Sequence, residues 1–346
     1  MTPRVRVMIV DDSALMREVL RELIGRAPDL EVVAVASDPV RAEAMLKTIG
    51  VDVITLDVEM PNMNGLAFLE RLMAARPIPV VMVSSLTARG SELALRALEL
   101  GAIDIVEKPR LDVKAGTFAL ADELLRKVRG AASARPRRRI PGPSAAAPDM
   151  AAPLAFRTTD RVIAIGASTG GTEAIATVLA GMPLAAPGIV MVQHLPPQFC
   201  AGFAERLDRL SRMDVRVAVD GERVTAGLAL LAPGDRHMRV VRNGATYVVR
   251  LSTEPPLNNH RPAVDVLFDS VATAAGRSAV GVLLTGMGAD GARGMLAMRN
   301  AGAATIAQDE HSCVVFGMPK EAISRGAAQH VLPLDRITSA ALRAAA

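Results

Sequence analysis

Residues 5–12 read VRVMIVDD, a short β-branched apolar run that ends in two aspartates. Such a run is typical of a buried strand, and the segment after it, Ser13–Gly25, has apolar residues at helical spacing between a capping serine and a glycine. Similar runs predict further strands at Glu31–Ala36, Val53–Asp57, Pro79–Ser84 and Ile103–Val106. Together they indicate an α/β fold, in which a doubly wound, five-stranded parallel sheet occupies residues 1–129.

A second alternating pattern begins at Arg161. Its apolar runs, each followed by a polar or glycine-rich turn and a helical segment, are RVIAIG at 161–166, GIVMVQ at 188–193 and AVGVLLTG at 279–286. Shorter strands with PGD and RNG turns are predicted between Asp214 and Leu251. We therefore expect a second α/β domain over residues 161–346, with a mostly parallel sheet and a smaller antiparallel portion.

The stretch between the two patterns, residues 130–160, is rich in Ala, Pro, Ser and Gly. Its prolines exclude a continuous helix, so we predict a flexible or partly extended linker. Arg135 and Arg137–Arg139 form a basic cluster within it. This cluster could contact a membrane or a nucleic acid, but short charge runs are more often solvated.

Composition excludes several classes of protein. Aromatic residues make up 2% of the chain and tryptophan is absent, which argues against the stacking platforms of nucleic-acid-binding proteins. The two cysteines, Cys200 and Cys313, lack CxxC spacing and favour a reducing compartment. The N-terminal apolar run is too short for a signal peptide, and no run approaches the roughly 20 apolar residues of a membrane span. We expect a soluble, cytoplasmic protein without membrane insertion.

Acidic residues stand at the ends of two predicted strands in the first domain. Asp11 and Asp12 follow the first strand, and Asp57 ends the third. Because parallel strands end at one edge of the sheet, we expect these carboxylates to lie together, with Mg²⁺ offsetting their repulsion. Phosphoryl transfer to Asp57 would need that metal and positive charge on the developing oxygens; Lys108 can supply an ammonium group and Ser84 a hydroxyl donor. Aspartate after a strand is also a common helix cap and Lys-Pro a common turn, but the joint pattern favours a phosphoacceptor site.

This arrangement resembles that of response-regulator receiver domains, whose fold is flavodoxin-like. The resemblance covers residues 4–129 and implies that a histidine kinase is the phosphodonor. It also implies the roles of the site residues: phosphoacceptor for Asp57, metal site for Asp11, Asp12 and Asp57, and switch or phosphate contact for Ser84 and Lys108. Many receivers have an aromatic switch residue where this chain has Ile105, so the resemblance does not extend to aromatic rotamer switching.

The sequence GASTGG, residues 166–171, matches the form GxSxG and places Ser168 between a predicted strand and a helix. A phosphate- or nucleotide-binding loop is the rival interpretation. His194 follows the next strong strand, and Asp290 lies in the glycine-rich stretch Gly281–Gly294. An imidazole can take the proton of a serine hydroxyl, and a buried carboxylate can hold its tautomer. A lone histidine is more often a capping or core residue, and Asp290 could be an N-cap, but the three motifs together favour acyl transfer.

The glycines of Gly281–Gly294 would let the backbone approach a ligand closely and open a helix at about Asp290. Backbone N–H groups there, together with those that follow Ser168, would form an oxyanion hole.

Several segments of the second half are similar to the catalytic domain of the chemotaxis protein-glutamate methylesterases: GASTGG, QHLPP, HRPAVDVLF, LLTGMGADGARG and AQDEHSCVVFGMP. The resemblance covers residues 161–335. It implies these roles: nucleophile Ser168, general base His194, acid Asp290, and oxyanion-binding backbone at Thr169 and Met287. It implies no cofactor for ester hydrolysis. His260 and Arg261 would line the substrate groove, or the HRP turn would have a structural role instead.

The resemblance further implies a substrate and partner. The family hydrolyses γ-glutamyl methyl esters on the cytoplasmic helices of chemoreceptors and commonly deamidates specific receptor glutamines. With the receiver in front, the whole chain is expected to be a phosphorylation-activated hydrolase. The alternatives are a response regulator whose second domain only docks onto a partner and, less favoured, a nucleic-acid-binding regulator, for which no helix-turn-helix is recognisable.

Overall fold

The computed structural model describes residues 3–60, 65–84, 87–108, 116–134 and 161–346. The chain forms two compact units, Met1–Pro141 and Gly142–Ala346. Most of the predicted linker, including its arginine cluster, lies outside the described residues. No helix in the described part of the chain is both long and apolar enough to cross a bilayer.

The first unit alternates strands and helices. Its strands are β1 (Val5–Val10), β2 (Leu30–Ala36), β3 (Val53–Asp57), β4 (Val80–Ser84) and β5 (Asp104–Glu107). Its helices are α1 (Ala14–Gly25), α2 (Pro39–Leu46), α3 (Gly65–Ala75), α4 (Ala88–Glu99) and α5 (Gly116–Ala132). Helix α5 continues past Gly130, where the linker was predicted to begin.

The strands of the first unit form one parallel sheet in the order β2-β1-β3-β4-β5. This confirms the predicted doubly wound sheet. Strands β1 and β3 have the predicted bounds, and the other three shift by one residue at one or both ends. Helix α1 begins as the sequence predicts, because Ser13 Oγ accepts the N–H of Met16 at 3.3 Å and caps the first turn.

The second unit contains more strands than the apolar runs of its sequence predict. They are β6 (Val162–Ala167), β7 (Gly188–Gln193), β8 (Asp214–Val217), β9 (Arg223–Val224), β10 (Leu228–Leu231), β11 (His237–Asn243), β12 (Thr246–Ser252), β13 (Ala279–Leu283), β14 (Ala304–Gln308) and β15 (His330–Leu332). The helices are α6 (Gly171–Ala180), α7 (Pro197–Leu210), α8 (Val264–Ala275), α9 (Ala292–Asn300), α10 (Met318–Ser324) and α11 (Leu334–Ala345), and a 3₁₀ turn spans Gly276–Ser278.

These strands form two separate sheets. The larger is parallel, in the order β15-β14-β13-β6-β7-β10-β8, and the smaller is antiparallel, in the order β11-β12-β9. The region from Asp214 to Leu251 is therefore divided between them. Strand β10 is buried along its whole length, as is typical of a parallel sheet covered on both faces, whereas β11 and β12 form a hairpin around Gly244.

The order of the large sheet places the first strand of the unit in its interior. Strand β6 pairs with β7 on one side and with β13 on the other. The chain therefore leaves β6 in one direction and returns later on the opposite side, which creates a topological switch point at the carboxyl ends of β6 and β13. In doubly wound sheets ligands bind at such a point, so the candidate residues after these strands lie where a site is expected.

Buried aliphatic and sulfur-containing side chains, with few aromatic rings, fill the core of the second unit. Helix α8 packs against α9 and β11. Phe268 of α8, with Met295 and Met298 of α9, belongs to a cluster that includes Val190 of β7 and Leu283 of β13. This packing fixes α8, whose N-terminus faces the carboxyl end of the large sheet.

Candidate active site

The carboxyl ends of β1 and β3 bring three carboxylates together in the first unit. One oxygen from each of Asp11, Asp12 and Asp57 lies within 4.8 Å of the others. Lys108 Nζ lies 2.7 Å from Asp57 Oδ2 and 3.2 Å from Asp11 Oδ2. Ser84 ends the neighbouring strand β4, is buried, and accepts the N–H of Lys108 at its carbonyl oxygen. The structure thus gathers all the residues predicted for this site at one edge of the sheet.

Burial sets the ionisation of this cluster. Burial, together with the charge of Asp11, raises the pKa of Asp57 to about 6, although Lys108 opposes the rise. Burial also raises the pKa of Asp11. Burial alone would lower the pKa of Lys108, but its hydrogen bond to Asp57 and the charges of both carboxylates outweigh burial and raise that pKa. One ammonium group does not fully compensate the buried acids.

The donor set of this cluster fits a magnesium ion. Asp11 Oδ2 is buried, and apart from the ion pair with Lys108 no hydrogen-bond donor among the described residues reaches it. Carboxylate oxygens are preferred Mg²⁺ ligands, and the ion usually keeps several waters. The side chain of Asp12 is exposed, so this part of the cluster is open to solvent.

In the second unit, Ser168 occupies a sharp turn between β6 and α6. Gly170 in this turn has φ 76°, a left-handed conformation, and a β-carbon there would lie 2.5 Å from Val314. The N–H of Ser168 donates to Thr285 O at 3.0 Å, and Ser168 O accepts the N–H of Gly171 at 2.7 Å. The turn is therefore tied both to the neighbouring β13 side of the sheet and to the start of α6.

His194 lies beside Ser168 because their strands are adjacent. Ala167 and Gln193 are register partners at the ends of β6 and β7. Ser168 directly follows β6, and His194 directly follows β7. His194 Nδ1 lies 3.1 Å from Ser168 Oγ. The Gln193 side chain adds a second link, since its Nε2 donates to Ser168 O at 2.9 Å.

Asp290 completes a chain of side-chain hydrogen bonds with these residues. Its Oδ2 lies 2.9 Å from His194 Nε2 and accepts the N–H of Val264 at 2.7 Å, while its Oδ1 accepts the N–H of Asp265 at 3.1 Å. Asn258 Nδ2 also donates to Oδ1, at 3.0 Å. Burial opposes ionisation, but the bond to His194 and these donors outweigh it and hold the pKa of Asp290 well below its ordinary value.

Two details of the sequence prediction for Asp290 are corrected. Helix α9 begins at Ala292, after Gly291, rather than at about Asp290. The carboxylate caps a different helix, because Val264 and Asp265 form the first turn of α8. The N-terminus of α8 carries unsatisfied N–H groups and a positive dipole end, which favour an ionised carboxylate.

The hydrogen bonds define the tautomer of His194. The ionised carboxylate of Asp290 can only accept, so His194 Nε2 carries the proton and donates to it. The lone pair of Nδ1 then faces Ser168 Oγ, whose hydroxyl donates to it. This exchanges the two ring nitrogens relative to the chymotrypsin-type triad, in which Nε2 faces the serine. The geometry allows a proton to pass from Ser168 to His194.

The turn after β13 lies against Ser168. A β-carbon on Gly286 would come within 2.8 Å of Ser168 Cβ, so only glycine fits there. Met287 follows Gly286, and its N–H has no hydrogen-bond partner within the described ranges. Thr169 follows Ser168, is buried, and its carbonyl oxygen accepts the hydroxyl of Thr285 at 3.0 Å. Both residues predicted to bind an oxyanion are thus adjacent to the serine turn.

Comparison with known proteins agrees with this geometry. Residues 163–341 match the CheB methylesterase family, and residues 7–114 match the response regulator receiver domain family. A Pseudomonas aeruginosa protein named protein-glutamate methylesterase/protein-glutamine glutaminase 2 is 56% identical over 99% of this chain and 97% of its own length. The chain belongs to the CheB methylesterase family.

Further relatives of this CheB family member include an enzyme and a solved structure. A Salmonella typhimurium protein named protein-glutamate methylesterase/protein-glutamine glutaminase is 54% identical over 97% of this chain and 95% of its own length. The crystal structure of the Thermotoga maritima CheB methylesterase catalytic domain is 37% identical, with a TM-score of 0.53, and covers 54% of this chain and 99% of that one. The predicted two-part organisation, a receiver followed by a methylesterase domain, agrees with these matches.

The two residues that the sequence placed in a possible groove lie in different environments in this CheB family chain. The ring of His260 stacks on the ring of His194, with centroids 3.7 Å apart and planes inclined by 12°. Arg261 instead forms an ion pair with Asp235 and donates to the carbonyl oxygens of Thr253 and Glu254. The environment of Arg261 favours the structural alternative for the HRP turn.

Several polar residues around the site were not singled out from the sequence. Asn258 bridges Asp290 and Asp265, and Asp265 in turn accepts the N–H of Gly294 at 2.7 Å. The hydroxyl of Thr285 accepts the N–H of Val315 at 2.9 Å. The pair of asparagines before HRP is a turn signal in the sequence, but nothing in it indicates which carboxylates the first asparagine reaches.

Proposed function

We propose that this protein hydrolyses γ-glutamyl methyl esters on the cytoplasmic helices of chemoreceptors and deamidates receptor glutamines at the same site. One observation carries the proposal: His194 contacts Ser168 through one ring nitrogen and Asp290 through the other. The names of the relatives, which include both the methylesterase and the glutaminase activity, support the choice of substrate.

In the first half of the reaction, Ser168 Oγ attacks the γ-carbonyl carbon of the modified side chain. His194 Nδ1 takes the hydroxyl proton as the new C–O bond forms, and Asp290 stabilises the resulting imidazolium. The carbonyl oxygen becomes an oxyanion, which accepts hydrogen bonds from the backbone N–H groups of Thr169 and Met287. Collapse of this intermediate breaks the bond to the leaving group.

In the second half, the leaving group and a water molecule complete the turnover. His194 returns its proton to the departing oxygen of an ester, which leaves as methanol, or to the nitrogen of an amide, which leaves as ammonia. Water then attacks the acyl group on Ser168 and gives its proton to His194, which passes it to Ser168 Oγ. The product is an ionised glutamate, and the steps use only protein groups and water, so we propose no cofactor for hydrolysis.

The receiver domain controls this activity in our proposal. A histidine kinase supplies the phosphoryl group, and Asp57 accepts it on a carboxylate oxygen. Asp11, Asp12 and Asp57 would hold Mg²⁺, which supplies charge neutralisation for the transferring phosphoryl group. Lys108, 2.7 Å from Asp57 Oδ2, contacts the phosphoryl oxygens, and Ser84 on the neighbouring strand end supplies the switch contact.

The test is release of methanol from a methyl-esterified chemoreceptor cytoplasmic fragment. We expect the parent chain to release methanol and Ser168→Ala to lower the rate by at least roughly 10³-fold. Ser324→Ala is the matched control, because Ser324 is exposed and its hydroxyl bonds only within its own helix. Full activity of Ser168→Ala would contradict the mechanism, and fragment binding without any methanol release would favour the non-catalytic docking module.

A further inference from the structure

His260 contacts the catalytic His194 through the face of its ring rather than through a ring nitrogen. Both nitrogens of His194 are engaged, Nδ1 with Ser168 Oγ and Nε2 with Asp290. His194 is buried, and the half-buried ring of His260 covers one face of it at a centroid distance of 3.7 Å. A further residue can therefore influence His194 through the face of its ring.

Contact with the face restricts a motion that the two hydrogen bonds do not. The bonds at Nδ1 and Nε2 fix the ring nitrogens but permit the ring to tilt about the line that joins them. The lone pair of Nδ1 lies in the ring plane, and proton transfer requires it to point at Ser168 Oγ. A flat group stacked on the face opposes that tilt and keeps the lone pair directed at the hydroxyl.

The loop Leu257–Ala263, which we call the HRP loop, holds His260 in place. Leu257 and His260 exchange backbone hydrogen bonds at 3.1 and 2.9 Å. Between them, Asn258 donates its amide to Asp290, so this loop contacts the carboxylate partner of His194 as well as its ring face. After His260, the guanidinium of Arg261 is held by Asp235 and by the carbonyl oxygens of Thr253 and Glu254.

A second buried histidine anchors both flanks of the HRP loop. His237 Nε2 lies 3.1 Å from Pro255 O, to which it donates, and His237 Nδ1 accepts the N–H of Ala263 at 3.2 Å. His237 is fully buried at the start of β11. The loop is thus connected at both ends to the start of β11.

We propose that His260 is a positioning residue, whose ring holds the ring of His194 in the plane required for proton transfer from Ser168. The inference rests on the proposed function of Ser168 and His194. In this role His260 acts through His194, which differs from the groove-lining role considered from the sequence.

The test compares two side chains of similar size in the full-length protein. His260→Phe keeps a flat ring, and His260→Leu does not. We expect His260→Leu to lower kcat for methanol release by about 10- to 100-fold, with KM unchanged within about threefold, and His260→Phe to restore most of kcat. The matched control is His330→Leu, which removes an exposed histidine of β15 and should leave both parameters unchanged.

A second readout separates positioning from binding of the receptor. Labelling of Ser168 by a small fluorophosphonate requires the activated hydroxyl but no receptor contact, so its rate should fall in His260→Leu and recover in His260→Phe. Thermal unfolding establishes that each variant is folded, and His260→Met replaces His260→Leu if the latter is not.

Two results would overturn the proposal. One is equal activity of the leucine (or methionine) and phenylalanine variants, because the flat ring would then have no effect. The other is a raised KM with unchanged kcat and unchanged labelling, which would assign His260 to the substrate groove. Failure of the underlying function has a different signature, namely methanol release that survives Ser168→Ala whatever occupies position 260.

Discussion

Asp290 binds His194 with the same carboxylate that receives the first N–H groups of α8. The two residues are 96 positions apart in the chain. His194 follows β7 and Asp290 follows β13, and these two strands lie on either side of β6. The bond to His194, with further donors from the helix terminus and the Asn258 amide, keeps the carboxylate ionised despite its burial, and ionised Asp290 keeps the proton of His194 on Nε2. The N-terminus of α8 therefore contributes to the tautomer at the site.

Replacement of Asp290 by asparagine should reverse this tautomer. The amide of the new asparagine can donate to His194 Nε2, which would move the ring proton to Nδ1. A protonated Nδ1 faces Ser168 but cannot accept the proton of its hydroxyl. We expect Asp290→Asn to lower kcat by roughly 10³- to 10⁴-fold with little change in KM, as measured by methanol release. Asp269→Asn, on the same helix α8, is the control and should retain the parent rate. A fall in kcat of less than about tenfold would contradict the assigned proton positions.

The Asn258 amide should contribute to the stability of the fold because it donates hydrogen bonds to two buried carboxylates. Asn258→Asp would add a third carboxylate beside Asp265 and Asp290, both of which are buried. We expect a loss of about 1–3 kcal/mol in the free energy of unfolding at pH 7. The loss should shrink as the pH falls, because burial already raises the pKa of Asp265 and a further carboxylate beside it would favour protonation.

The neighbouring residue provides a matched control for that change. Asn258 and Asn259 are both exposed residues with a left-handed backbone, φ 54° and 63°, but the bridge to the two carboxylates is made by Asn258. Asn259→Asp makes the same chemical change without adding charge between Asp265 and Asp290. Urea unfolding of both variants at pH 7 and pH 5 compares them directly, and equal losses would mean that the amide bridge of Asn258 has no special role.

Local patterns in the sequence predicted much of the fold. Strands β1 and β3 have the predicted bounds because each is a short buried run that ends in aspartates. The division of the region from Asp214 to Leu251 between two sheets was not predicted. It depends on pairing of β10 with β7, some 40 residues earlier in the chain, and a local pattern does not contain such a contact.

The same distinction applies to the site. Ser168, His194 and Asp290 follow strands of one sheet, so their proximity follows from the rule that parallel strands end together. The stacking of His260 on His194 does not follow from any strand. It results from a loop whose conformation depends on hydrogen bonds to Asp290 and His237, and these become evident only in three dimensions.

The two cysteines should be unreactive in the folded protein. Burial raises the pKa of the Cys200 thiol to about 11, and burial with the nearby Asp309 carboxylate raises that of Cys313 to about 12. Because the thiolate is the reactive form, we expect reaction with a disulfide reagent at pH 8 to be at least roughly 100-fold slower than in the unfolded chain. Methanol release after iodoacetamide treatment should be unchanged, and rapid inactivation would implicate a thiol in the reaction.

Phosphorylation and chelation should affect the two domains differently. A small acyl phosphate should stimulate methanol release by the parent chain and by Asp52→Asn, whose side chain is exposed just before β3. Stimulation should be absent in Asp57→Asn, because the acceptor carboxylate is lost. EDTA should prevent stimulation of the parent while leaving basal hydrolysis intact. Loss of basal activity on chelation would indicate that hydrolysis itself needs a metal.

Without metal, the acidic cluster of the receiver should destabilise that domain at neutral pH. The pKa of Asp57 is raised to about 6 in the folded protein, above its ordinary value of 3.8. An acid with a raised pKa favours folding while it is protonated, so this contribution is fully present below about pH 4 and is lost as the pH rises through 6. In EDTA at pH 7.5, Asp57→Asn should therefore raise the free energy of unfolding of the first unit by about 2–3 kcal/mol.

Hydrogen exchange of β1 and β3 in urea measures this difference, because it reports on the first unit alone. The advantage of Asp57→Asn over the parent should diminish as the pH falls from 7.5 to 4.5, and Mg²⁺ at pH 7.5 should reduce it by binding the carboxylates of the parent. A parent chain more stable than Asp57→Asn at pH 7.5 in EDTA would mean that Lys108 fully compensates the buried acids.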